Sequence, residues 1–87
     1  MHDSLLLHKI AAALQRICEE NNLSKVKETL IEVGYNSHID SKDLHEHLLE
    51  IIPELVAVDT IISIKHAELE DQTVVIYMLK GEGFETE

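Results

Sequence analysis

The chain has one cysteine, one proline and three glycines in 87 residues, and each scarcity excludes something. Cys18 alone can form neither an intramolecular disulfide nor a cysteine-rich zinc knuckle, so a reducing, cytoplasmic setting without structural zinc is expected. Gly34, Gly81 and Gly83 make no phosphate-cradling run. Ser4, Ser24, Ser37, Ser41 and Ser63 lack a nucleophile-elbow setting, and no paired-carboxylate motif stands out, so no catalytic residue is assigned and no enzyme is expected. Long hydrophobic runs are missing too: nothing approaches the roughly 18 apolar residues of a membrane span. His2 and Asp3 precede the short Leu5-Leu6-Leu7 run and no basic segment does, so no secretory leader is expected. Positive charge is scarce as well. Seven Lys and Arg against 17 Asp and Glu give a formal charge of -10 with His neutral, which opposes binding to nucleic-acid backbones or anionic lipid. Cations, metal ions and basic protein surfaces are the partners this balance favours.

What is present suits one compact domain over residues 1–87. A 45% hydrophobic content at this length buries about 60–65% of the unfolded chain's surface. Residues 4–22 read as a helix with Leu7, Ile10, Leu14 and Ile17 as its apolar stripe, widened by Leu6, Ala13 and Cys18, and with Asp3 or Ser4 as its cap. Asn21-Asn22 ends it, because short amides compete with the helical backbone for hydrogen bonds. Residues 25–33 alternate as a strand, with Thr29, Ile31 and Val33 on one face, Glu28 and Glu32 on the other, and Gly34 closing it. A second helix is expected from Asp40 through Ile52, burying Leu44, Leu48, Ile51 and Ile52. Pro53 ends or kinks it, or starts a short turn through Leu55, because it lacks a backbone donor and clashes with the preceding turn. Asp40-Ser41-Lys42-Asp43 is similar to a capping box, with Asp43 shorter than the usual Glu. Strands over 60–66 and 73–79 follow, joined by Ala67–Gln72 most simply as a hairpin, and 81–87 reads as a flexible acidic tail. The order helix-strand-helix-strand-strand predicts an α/β (α+β) fold, a small mixed three-stranded sheet with both helices on one face.

Six histidines raise the question of a metal. His45 and His47 lie two helical positions apart and point to different faces, so both read as surface or satisfied polar groups. His38 falls in a loop and His66 at a strand end, where local hydrogen bonding is the ordinary role. His8 and His2 do not share a face if the chain between them is helical. Met1-His2-Asp3 is chemically sharper. An imidazole beside a free N-terminus chelates through amine, amide and ring nitrogens together, a compact set that favours the square-planar geometry Ni(II) and Cu(II) accept. A flexible terminal histidine without a ligand is the ordinary alternative.

The opening Met1-His2-Asp3 with Leu5-Leu6, the segment Lys25-Val-Lys-Glu-Thr-Leu-Ile-Glu-Val-Gly34 and the acidic start of the second helix together resemble the HypA family of nickel-insertion accessory proteins for hydrogenase and urease maturation. The resemblance runs through Ile64, and Val74-Val-Ile-Tyr-Met-Leu79 is similar to the family's closing strand. It implies two helices on a small mixed sheet, a nickel site built from the N-terminal amine and His2, and as partner a nickel-handling GTPase or a metalloenzyme precursor. The family's Met-His-Glu opening has Asp3 in place of Glu, which keeps the charge and shortens its reach. Glu32-Val33-Gly34 keeps the strand-ending motif, whereas Tyr35-Asn36-Ser37 departs from it. Where family members insert a zinc domain with paired Cys-x-x-Cys motifs, this chain has only Ala67–Gln72. The expectation is therefore a nickel-binding domain alone, with Met1, His2 and Asp3 as metal residues, existing as a monomer or weak dimer. A metal-free protein-interaction domain with the same fold is the alternative.

Overall fold

Five elements follow in the expected order: α1 (Ser4–Glu20), β1 (Leu23–Gly34), α2 (Ser41–Ile51), β2 (Val56–Ala67) and β3 (Val74–Gly83). The computed structural model describes residues 4–70 and 72–83. In α1, the residues most deeply buried are Leu6, Ile10, Leu14 and Cys18, a line at four-residue spacing, with Ala11 beside it. Leu7 and Ile17, expected at the centre of the stripe, form its half-buried margins instead. The helix ends as its amides dictate. Asn21 donates from both its backbone N–H (3.0 Å) and its side-chain Nδ2 (2.8 Å) to the Ile17 carbonyl. Asn22 then adopts a φ of 58°, a left-handed conformation that asparagine tolerates, and turns the chain into β1.

Helix α2 starts on the Asp40 carboxylate, whose Oδ1 accepts the Asp43 backbone N–H at 2.8 Å. Leu44, Leu48 and the capping Ile52 are buried, and Ile51 is half-buried. The Ile52 N–H still donates to the Leu48 carbonyl at 2.8 Å, and Pro53 ends the series.

The sheet order is β2-β1-β3, which corrects the expected hairpin. Strand β1 lies in the middle, parallel to β2 and antiparallel to β3, so the last two strands never touch each other as neighbours. Gly34 pairs with Ala67 on one side while Val33 pairs with Val74 on the other, so the connection from β2 to β3 crosses the C-terminal end of β1. Two neighbouring-strand spacings come to about 10 Å, which six residues span easily. The crossing is close: a side-chain carbon added at Gly34 would stand 3.2 Å from the Leu69 carbonyl oxygen. Lys9 Nζ on α1 donates to the Gln72 carbonyl at 2.7 Å, and the Thr73 N–H to the Glu70 carbonyl at 3.1 Å. Gln72 takes a φ of 64° there.

Strand β2 begins earlier than expected and is irregular where it does so. Its ladder with β1 is continuous from Glu28↔Ile61 to Gly34↔Ala67, close to the expected 60–66, whereas the preceding pair is Val26↔Val56. Residues 57–60 therefore bulge out against a single residue of β1. Thr60 stitches the bulge, its Oγ1 donating to the Val26 carbonyl (2.8 Å) and accepting the Ala57 N–H (2.9 Å). Strand β3 also runs further than expected and takes in Gly81 and Gly83, so part of the expected tail is sheet; residues 84–87 lie outside the described residues.

One face of β1 presents Val26, Thr29, Ile31 and Val33 to a single core that also contains Leu6, Ile10, Leu14, Leu44, Leu48 and Ile52. Both helices thus cover one face. Each fully buried Leu or Ile contributes about 1.5–3 kcal/mol through removal from water. On the opposite face Ile61 and Tyr77 are 57% and 67% exposed, and Lys65 Nζ lies 3.9 Å from Glu32 Oε2.

Candidate functional site

Met1, His2 and Asp3, the expected metal residues, lie outside the described residues, and α1 begins at the next position, Ser4. Their donor chemistry is read from the sequence: one amine, one imidazole with its amide, and one carboxylate. That set fits Ni(II) or Cu(II), which accept compact nitrogen donors in a plane. His8, in the second turn of α1, is the described imidazole nearest to them along the chain.

The fold places His45, His66 and His47 in three different settings. His45 reaches the start of β2, its Nε2 2.8 Å from the Ala57 carbonyl, as a satisfied polar group on α2. His66 closes the C-terminal end of β2, its Nε2 3.2 Å from the Ser37 carbonyl. His47 turns away from both. Its ring meets that of His8 across the gap between helices, with centroids 5.3 Å apart and planes at 86°. Its Nε2 is buried and lacks a hydrogen-bond partner, the one such side-chain nitrogen or oxygen among the described residues. The expectation of a surface or satisfied role therefore fails for His47.

The His8–His47 pair was not legible from spacing within either helix, because it is made by the packing of one helix on the other. The signal that existed was weak: His8 lies beside Leu7 on the margin of the α1 stripe, and His47 beside Leu48 on α2. Among the described residues no group of three or more His, Cys, Asp or Glu side chains is arranged to hold a metal ion, so the pair stands as two donors.

Two other features stand apart from the histidines. A shallow hollow of about 500 Å³ over the β bulge is lined by Lys25, Lys27 and Lys80 but equally by Glu28, Asp59 and Glu82. Lys27 Nζ is 3.5 Å from Glu82 Oε2, an exposed pair within this lining of mixed charge. Cys18 is 2% exposed, and desolvation by burial raises its thiol pKa, which keeps it protonated and unreactive. No described helix is long and apolar enough to cross a membrane. Compared with known proteins, the chain matches no family model, no curated protein and no solved structure.

Proposed function

We propose that this chain is a non-enzymatic, cytoplasmic nickel-binding accessory protein similar to the nickel-binding half of HypA, which presents Ni(II) to a nickel-handling GTPase or a metalloenzyme precursor. The observation that carries the reading is the Met1-His2-Asp3 opening set directly ahead of α1. The α-β-α-β-β order, with both helices on one face of a mixed sheet, supports it, being the architecture the resemblance implies. Met1 supplies its amine and His2 its imidazole and amide nitrogens, while Asp3 orients or electrostatically supports the set. Bound Ni(II) is the cargo. The acidic chain offers its recipient a surface complementary to a basic patch. Because amine, amide and imidazole must all shed protons to bind, affinity falls on acidification.

Isothermal titration of untagged protein, of His2→Ala and of protein carrying an N-terminal extension tests the reading. One strong Ni(II) site in the untagged chain, lost in the other two, is the expected result. Equal nickel affinity in all three sinks the terminal chelate. The exposed apolar side chains of the open sheet face, Ile61 and Tyr77 above all, favour a second reading as a metal-free interaction domain. No nickel binding in any of the three proteins is its signature.

A further inference from the structure

We propose that His8 and His47 form a second binding point for a divalent transition metal, one that clamps α1 to α2 and does not depend on the N-terminal amine. A buried polar atom without a partner costs free energy and calls for an explanation, of which an ordered water or an ion are the ordinary ones. His47 Nε2 is such an atom. What distinguishes it from a site for water alone is the second imidazole beside it, brought there by a different helix.

The spacing suits a shared metal. With metal–nitrogen bonds of about 2.0–2.1 Å, two imidazoles bound at adjacent positions hold their centroids roughly 4.5 Å apart at a square-planar angle and roughly 5.2 Å apart at a tetrahedral one. The observed 5.3 Å, with the planes at 86°, is at the tetrahedral end of that range. The terminal torsion of each imidazole is broad, so ring rotation is the adjustment that binding a shared ion calls for. Since no third side-chain ligand is arranged among the described residues, water fills the remaining positions and the site is weak and exchangeable, suited to Zn(II), Ni(II) or Cu(II). Asp43 and Glu50, one turn either side of His47 on α2, add negative charge that favours a cation without ligating it.

The test uses Zn(II), which is diamagnetic, and the full chain carrying a short histidine-free N-terminal extension that removes the free amine. Long-range proton–nitrogen correlation spectra follow each imidazole while zinc is titrated, and calorimetry gives the affinity. The expected result is that the ring nitrogens of His8 and His47 shift together and saturate at one equivalent, with His38, His45 and His66 unmoved. His8 is exposed and lies outside the apolar core, so His8→Ala leaves that core in place and lowers zinc affinity at least tenfold. His47→Ala does the same, and if that variant fails to fold, His8→Ala decides the matter. A loss smaller than tenfold in His8→Ala, or shifts confined to other histidines, overturns the clamp. That outcome leaves the terminal chelate standing or falling on His2→Ala in the unextended chain, so the two readings fail separately.

Discussion

Cys18 shows how one side chain carries a consequence from packing to solution behaviour. Burial raises its thiol pKa above the ordinary 9.0. The sign follows directly: as pH rises past 9.0 the unfolded chain releases this proton while the folded chain keeps it, so stability is constant below that point and declines above it. Denaturant melts of wild type and Cys18→Ala from neutral to strongly alkaline pH should show wild type losing stability relative to the variant only above pH 9.0, and parallel curves would contradict the assignment. Gly81 makes a different demand. A side-chain carbon at that position runs into the Lys25 backbone carbonyl oxygen on the adjacent strand, and backbone cannot move aside as a flexible side chain can. Gly81→Ala should therefore destabilise the protein by about 1–3 kcal/mol, as overpacking does, with earlier hydrogen exchange along the β1–β3 ladder than along β1–β2. A neutral Gly81→Ala would mean that the ladder opens at little cost.

The elements show where sequence patterns speak and where they stop. Asp40 was readable as the start of α2 because a cap is local chemistry, and its Oδ1 does accept the Asp43 N–H. Asp40→Ala should accordingly cost about 1 kcal/mol in a denaturant melt, with Asp40→Asn recovering most of it. The order of all five elements, the buried face of β1 and the asparagine stop of α1 were legible for the same reason: each depends on residues within a few positions of one another. Strand pairing depends on more. A short connection after β2 suggested a hairpin, yet Val74 pairs with Val33 and not with β2. Nothing in Ala67–Gln72 reports that one edge of β1 is still open and is filled by β3. The early start of β2 was hidden as well, because the exposed Val58 and Asp59 interrupt its alternation where the chain bulges. At the candidate site the same division holds. Met1-His2-Asp3 is a local pattern that the sequence displays directly, although it lies outside the described residues, whereas His8 and His47 are 39 positions apart and meet only through helix packing.

At the scale of the whole molecule, a formal charge of -10 on 87 residues opposes close association of identical copies, although the open face of the sheet carries exposed Ile61 and Tyr77. Light scattering at moderate ionic strength should give a monomer or a weak dimer that dissociates on dilution, with association strengthened by salt as repulsion is screened. A tight dimer surviving low concentration would show instead that the apolar face dominates. The central place of β1 has one more effect, on the chain as it emerges from the ribosome. Its first partner, β2, arrives after a helical crossover, and its second, β3, is made last of all. Until synthesis passes Gly83, the nascent domain carries β1 with one whole edge bare, a template on which another incomplete chain could pair. A stalled or clipped product lacking β3 is thus a seed for aggregation rather than a slightly smaller version of the same domain, and the 10 residues of β3 decide between the two.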